Sequence, residues 1–224
     1  MGDRLESPNT MELEWLAVNR DMRSLGDPEI QIAGQEVLGV SLLPRLLHHR
    51  QESARQLTDT ILLAKRYPNL AVGAGTVLDE ESARRAIDAG ARFLTSPGFV
   101  PGVVAYANEA DVVVLPGALT PTEVIAAWKA GSDFVKIFPL APVGGVQYVR
   151  ALKVPLPQIP LIATGGVNQV TAFDFILAGV SAIGVGTELL PKEALQLRQE
   201  YRIRELARRF LSMVKEARAQ RDSS

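Results

Sequence analysis

Lys136 lies in Phe134-Val135-Lys136-Ile137-Phe138-Pro139, an amine in the middle of an apolar run. Side chains alternate along a strand, so Phe134, Lys136 and Phe138 share one face and Val135 and Ile137 the other. With the β-branched pair turned to a helix layer, Lys136 points into the interior of a barrel. Burial disfavours the charged form of an amine, and a neutral amine is the nucleophile that forms imines with ketones. A lysine paired with a carboxylate, or one snorkelling to solvent, accounts for the same residue without any chemistry. The motifs around it weigh towards the nucleophile.

Three of those motifs are rich in glycine: Gly73-Ala74-Gly75-Thr76, Thr164-Gly165-Gly166 and Gly184-Val185-Gly186-Thr187. Each closes an apolar run. Glycine at a strand end lets backbone N–H groups approach an anion, and a following helix start adds its dipole. The two later motifs fall on strands seven and eight of a barrel, where phosphate sites recur. Tight strand-to-helix turns also favour glycine, so each motif alone says little. Ser96-Pro97-Gly98 and Phe138-Pro139 are further strand-end turns, readable as substrate contacts or as plain turn chemistry. The only histidines, His48 and His49, are adjacent and cannot face one metal from a regular helix or strand.

The elements that must position these residues repeat from Leu70 onward. Apolar runs at 70–73, 93–95, 112–115, 134–138, 161–163 and 182–185 start about 19 to 27 residues apart. That interval holds one strand, two loops and a helix. Runs without polar alternation suit parallel strands buried on both faces. Ala89-Gly90, Ala130-Gly131 and Ala178-Gly179 end the intervening helices. Thr120-Pro121-Thr122-Glu123 is a capping box with proline at its first helical position, and Asp79 caps the helix from Glu80. Six such units imply an α/β fold with a parallel sheet. A (β/α)₈ TIM-type barrel over residues 1–224, as a single domain, is the expectation; a doubly wound open sheet is the alternative.

Residues 201–219 form a long helix with Ile203, Leu206, Ala207, Phe210 and Val214 on one stripe, and Arg202, Arg204, Arg208 and Arg209 read as a solvated face rather than a polyanion site, since the whole chain is not basic. The first sixty residues read less clearly. Residues 11–20 and 30–41 can each hold a strand, 53–67 a helix, while 42–51 has no clear period.

Composition narrows the chemistry further. The net charge of -1 offers no footprint for nucleic acid or an acidic membrane surface. No run is long enough to span a bilayer, the first residues lack the apolar core of a signal peptide, and cysteine is absent. The expectation is a cytoplasmic enzyme without metal or cofactor.

The set Val72-Gly73-Ala74-Gly75-Thr76-Val77, Ser96-Pro97-Gly98, Leu115-Pro116-Gly117, Phe134 to Pro139, Thr164-Gly165-Gly166 and Gly186-Thr187 resembles, in order and spacing, the 2-dehydro-3-deoxy-phosphogluconate (KDPG) / 4-hydroxy-2-oxoglutarate (KHG) aldolase family. The resemblance covers about residues 57–218, with 1–56 divergent. It implies a homotrimeric (β/α)₈ barrel that splits a keto-acid sugar phosphate into pyruvate and glyceraldehyde 3-phosphate. By motif, Lys136 matches the Schiff-base lysine. Thr76, Pro97 and Phe138 match the pyruvate end, and Gly165, Gly166, Gly186 and Thr187 the phosphate end, with Thr187 where the family often has serine.

The family's general base, a glutamate in Glu-Val-Thr on the second strand, is not found. Counting back from Thr76 by the family interval reaches His48, whose type suits proton transfer. Glu36 is the nearest strand-like glutamate but lies too far upstream, and Arg45 and Arg50 are candidate anion contacts. A shifted reading frame or misassigned start would account for the abrupt loss of pattern, and resequencing the encoding DNA tests it. Three functions therefore compete: a pyruvate-forming class I aldolase, a weak or inactive barrel that still binds pyruvate or sugar phosphate, and a phosphate-binding barrel isomerase or synthase. Only the first two explain Lys136 with Phe138-Pro139.

Overall fold

The computed structural model describes residues 71–197 and 199–223, with the backbones of strands 13–16 and 39–42. The strands are β1 (Leu13–Leu16), β2 (Gly39–Leu42), β3 (Ala71–Ala74), β4 (Phe93–Thr95), β5 (Val113–Leu115), β6 (Gly117–Ala118), β7 (Val135–Ile137), β8 (Leu161–Ala163) and β9 (Ala182–Val185). Their ladder runs β5-β4-β3-β2-β1-β9-β8-β7-β6.

The two ends of that ladder are consecutive in the chain. Only Pro116 separates β5 from β6, and a proline cannot donate to a ladder. The segment still pairs along its length with the Lys136 strand. Asp133 N donates to the Val114 carbonyl, Lys136 N to that of Pro116 and Phe138 N to that of Ala118, at 3.2, 2.9 and 3.1 Å. The sheet therefore closes into a barrel of eight strand positions, with Lys136 on the sixth. Following the registers round the ring returns to the fifth position about eight residues along the strand, the stagger of a TIM barrel.

The pairs from β2 to β5 and from β6 to β9 are parallel, as the continuous apolar runs predict. β1 departs from a regular (β/α)₈ pattern, being antiparallel to both β2 and β9. It lies within the expected 11–20 segment, and β2 overlaps the end of 30–41. The helix expected over 53–67 lies outside the described residues.

The helices are α1 (Glu80–Asp88), α2 (Pro101–Glu109), α3 (Pro121–Lys129), α4 (Gly145–Lys153), α5 (Ala172–Leu177), α6 (Lys192–Gln196) and α7 (Glu200–Asp222). Asp79 caps α1 by accepting from Ser82 N at 2.7 Å, and Thr120 and Glu123 form the capping box of α3. Such a cap contributes about 1 kcal/mol. Gly90, Gly131 and Gly179 follow helix ends at φ of 96°, 88° and 100°. Helices of nine residues or fewer are too short to stand alone in water, so their packing against the sheet holds them.

Two layers result from strand alternation. Ala71, Phe93, Val113, Leu115, Phe134, Ile162 and Ala182 fill the barrel interior. Val135, Ile137, Leu161, Ala163, Ile183 and Val185 face outward, against Val124, Val149, Phe175, Ile176 and Phe210 of the helices. Each large apolar side chain buried this way contributes roughly 1.5–3 kcal/mol. Phe210 is the buried residue of the α7 stripe. On the outer side of α7, Arg202 pairs with Glu193 and Arg209 with Glu205, exposed contacts worth a few tenths of a kcal/mol, about what a solvated face provides.

Candidate active site

Lys136 is the central residue of β7, and its exposure is 4%. Phe134, two residues earlier, belongs to the interior layer, while Val135 and Ile137 face the helices. The alternation expected from sequence is thus the one adopted, and Lys136 projects into the barrel. Its Nζ lies 4.9 Å from the centroid of the Phe138 ring, so the aromatic face borders the amine.

Around it the loops at the C-terminal strand ends gather most of the expected residues. Val77 N, next to Thr76, donates to the Thr95 carbonyl at 3.0 Å, joining the loop after β3 to the end of β4. Pro97 follows β4, and its carbonyl oxygen lies where a Cβ on Gly117 would sit, 2.1 Å away. Gly117 in turn pairs with Lys136. This glycine is therefore more than turn punctuation, because any side chain there displaces the Ser96-Pro97-Gly98 backbone.

Gly165 and Gly166 serve a similar close approach. Their φ values are 76° and 104°, a region that suits glycine. A Cβ on Gly165 would lie 3.1 Å from the Phe138 ring, and one on Gly166 only 2.3 Å from the Ala141 Cβ. The loop after β7 is bonded to the loop after β8 as well: Leu140 N donates to Thr164 O at 3.1 Å and Ala141 N to Gly165 O at 2.9 Å. No hydrogen bond among the described residues takes up the Gly165 or Gly166 N–H. Gly186 and Thr187 follow β9, beside β8, and Gly186 O closes the next turn by accepting from Leu189 and Leu190 N.

Thr76 and Phe138 are half-buried at this mouth, Pro97, Gly166 and Thr187 exposed, and Gly165 and Gly186 intermediate. Contacts thus link Pro97, Gly117, Lys136, Phe138, Gly165 and Gly166 directly. Thr76, Gly186 and Thr187 join them through adjacent strands. His48, Glu36, Arg45 and Arg50 lie outside the described residues.

Two buried hydroxyls, one in an expected strand and one in a glycine motif, have no role in the sequence reading. Thr95 and Thr164 are 1% and 0% exposed. They keep the parity of the interior residues Phe93 and Ile162, a two-residue alternation that could have flagged them. Thr95 Oγ1 donates to Leu115 O at 3.0 Å, and Thr164 Oγ1 to Ile137 O at 3.1 Å. Each hydroxyl proton is committed to a strand carbonyl, so these oxygens offer lone pairs at the Lys136 end of the barrel.

At the rim, Glu123 accepts from the N–H groups of Leu119 and Thr120, both at 2.8 Å. These backbone donors, Leu119 first, hold its carboxyl below the usual range. Tyr148, on α4, donates its hydroxyl to the Leu119 carbonyl. Burial, then the Glu123 charge, pushes that phenol up. At the opposite end of the barrel, Lys153 donates to the Pro157 and Ile159 carbonyls and Arg218 to that of Ser181. Burial, then Arg221, lowers both of these cations' pKa values. No group of three or more metal-ligating side chains occurs among the described residues.

An interior lysine against an aromatic ring, ringed by glycine loops at one barrel mouth, suits imine chemistry on a small anionic substrate. Residues 47–206 match the model of the KDPG and KHG aldolase family. The chain belongs to that family. It is 32% identical over 167 residues to a 2-dehydro-3-deoxy-phosphogluconate aldolase of Pseudomonas aeruginosa, covering 74% of this chain and 76% of the other. A KHG/KDPG aldolase of Escherichia coli K12 is 34% identical over 154 residues, covering 68% and 72%. The solved structure of a 4-hydroxy-2-oxoglutarate / 2-dehydro-3-deoxyphosphogluconate aldolase superposes with a TM-score of 0.64 at 32% identity, covering 78% of this chain and 80% of that one. The protein is an aldolase, a lyase with a TIM-type barrel. The matched range begins at residue 47, upstream of the boundary expected near 57, so His48 falls inside it. No described helix is long and apolar enough to cross a membrane.

Proposed function

We propose that the protein cleaves 2-dehydro-3-deoxy-6-phosphogluconate to pyruvate and glyceraldehyde 3-phosphate, with Lys136 as the amine that forms the Schiff base. The observation that carries this reading is the burial of Lys136 inside the barrel, against Phe138 and among the glycine loops. Nζ adds to the C2 ketone, and loss of water leaves a protonated imine. A base removes the C4 hydroxyl proton, the C3–C4 bond breaks, and its electrons pass to the imine nitrogen. Glyceraldehyde 3-phosphate leaves, C3 of the enamine takes up a proton, and hydrolysis releases pyruvate and the free amine.

Thr76, Pro97 and Phe138 line the pyruvate end in this reading. Gly165, Gly166, Gly186 and Thr187 take the phosphate through backbone N–H groups and a hydroxyl. His48 is the candidate proton carrier. The double name of the E. coli relative supports 4-hydroxy-2-oxoglutarate as a second substrate, split to pyruvate and glyoxylate. One domain over residues 1–224, a homotrimer and a cytoplasmic location complete the proposal, on the strength of the family resemblance.

Incubation with pyruvate and borohydride, followed by peptide mass spectrometry, tests the amine. A reduced pyruvate adduct on Lys136 is expected, and its loss in Lys136→Met. An adduct elsewhere, or none, overturns the assignment. An adduct without turnover of the phosphorylated substrate selects a binding barrel in place of an aldolase. Turnover by His48→Gln at the wild-type rate removes His48 from the mechanism.

A further inference from the structure

Tyr148 is a half-buried phenol that the chemistry above does not use. It belongs to α4, the helix that follows the Lys136 strand and its loop. Its hydroxyl reaches back to the Leu119 carbonyl, in the turn that follows β6. β6 is the strand against which Lys136 is registered: Gly117 pairs with Lys136, Ala118 pairs with Ile137, and Phe138 N donates to Ala118 O at 3.1 Å. The turn is held from its other side by Glu123, which takes the N–H groups of both Leu119 and Thr120.

We propose that Tyr148 is a positioning residue for the aldolase reaction, clamping the turn after β6 so that β6 holds Lys136 and Phe138 in place for attack on the ketone. This inference rests on Lys136 being the nucleophile. Tyr148 acts through the backbone at Leu119. Three polar groups of a two-residue turn are thereby fixed by side chains from two different helices. Without the phenol hydroxyl, the Leu119 carbonyl loses its donor and the turn stays fixed on one side only. The slack falls on the backbone that aligns the amine, so the rate of imine formation suffers more than the affinity for pyruvate.

Imine formation at Lys136 is timed by borohydride quenching across a range of pyruvate concentrations, for wild type, Tyr148→Phe and Lys153→Met. The phenylalanine keeps the ring and removes one hydrogen bond. Its saturating rate of adduct formation is expected to fall about threefold to tenfold, the worth of one net hydrogen bond, with the half-saturating pyruvate concentration unchanged. Lys153→Met, on the same helix but at the opposite end of the barrel, is expected to lower thermal stability and keep the wild-type rate.

A wild-type rate in Tyr148→Phe overturns the proposal, as does equal slowing in Lys153→Met, which would mark a general loosening of α4. Should Tyr148→Phe not fold, Glu123→Ala releases the other side of the same turn and must show the same slowing; a wild-type rate there also overturns it. Absence of any adduct in wild type defeats the Lys136 assignment and this proposal with it. A normal wild-type adduct with unaltered Tyr148→Phe kinetics defeats the proposal alone.

Discussion

Gly166→Ala separates two reasons for a glycine at the barrel mouth. The residue has a φ of 104°, and a Cβ there would lie 2.3 Å from the Ala141 Cβ, 3.3 Å from its Cα and 3.4 Å from its N. Forcing a side chain into such a backbone conformation costs about 1–3 kcal/mol. The overlap with Ala141 adds about 1–3 kcal/mol, because the opposing Cβ has no torsion of its own and can withdraw only if the backbone of its turn moves. That turn, 3-10 helix from Ala141 to Val143, is tied to the same loop by the Ala141 N to Gly165 O bond. At roughly 2–4 °C per kcal/mol for a chain of this size, the melting temperature falls by about 10 °C. Ala141→Gly alone costs about 0.5–1 kcal/mol, through the freedom glycine adds to the unfolded chain. In the double variant the 2.3 Å overlap disappears while the backbone strain stays. Denaturant melts of all four proteins close the cycle, and a coupling of about 1–3 kcal/mol in favour of the double variant is expected. Additivity within error would refute the contact as the reason for the glycine. Cleavage assayed well below the melting temperatures should show reduced kcat/KM in Gly166→Ala, since the added methyl pushes apart the loops that carry Phe138 and Gly165.

Gly117→Ala places a Cβ 2.1 Å from the Pro97 carbonyl oxygen, and backbone must move to relieve it. A net loss of about 1–2 kcal/mol is expected in melts, together with weaker pyruvate saturation as the Pro97 loop retreats. Thr164→Val keeps the shape and removes the Oγ1 donation to Ile137 O, whose other donor, Thr164 N at 3.2 Å, remains. About 1 kcal/mol of stability should be lost, with a slower borohydride-trapping rate at Lys136; a wild-type rate would leave Thr164 a purely structural residue. Glu123 is held below the ordinary carboxylate range by backbone donors. Its ionised form therefore contributes stability that is fully present above the unfolded value and lost as pH falls through the folded one. The stability difference between wild type and Glu123→Gln, about 0.5 kcal/mol at neutral pH after allowing for solvent screening, should shrink across that acidic window; a constant difference rejects the capping role of the charge.

The sequence carried the amine and the loops around it because both depend on local patterns. Alternation over five residues placed Lys136 inside the barrel, and Phe93–Thr95, Leu161–Ala163 and Ala182–Val185 are strands at the expected bounds. The capping box at Thr120 and the cap at Asp79 are equally local, each closing within three residues. What escaped depends on pairing between distant segments. The antiparallel course of β1 follows from its ladders with β2 and β9, and nothing in Leu13–Leu16 encodes a direction. The two-part strand at Pro116 could be read as a strand followed by a turn, and only its bonds to Asp133, Lys136 and Phe138 show that the strand continues. Thr95 ends an expected strand and Thr164 opens a glycine turn, and neither stands out as an interior hydroxyl until the alternation is anchored on Phe93 and Ile162.

The charge at the mouth decides how the substrate's distal end is recognised. The described loops there, 75–79, 96–100, 119–120, 138–144, 164–171 and 186–191, contain no lysine or arginine, while Glu188 adds a carboxylate beside Thr187. A phosphate held by these loops is held by backbone N–H groups and hydroxyls, whose dipoles act only at contact range. Arg45 and Arg50 are the candidates for a cationic contribution from outside the described residues. Dipolar recognition predicts a KM for the phosphorylated substrate that stays nearly level as salt shortens the Debye length from about 30 Å to about 8 Å. Recognition by arginine charge predicts a KM that climbs steeply over the same range and levels out once the arginines are replaced by methionine. We expect the level response. A steep one would refute the neutral loops as the main anion site and move it to the arginines.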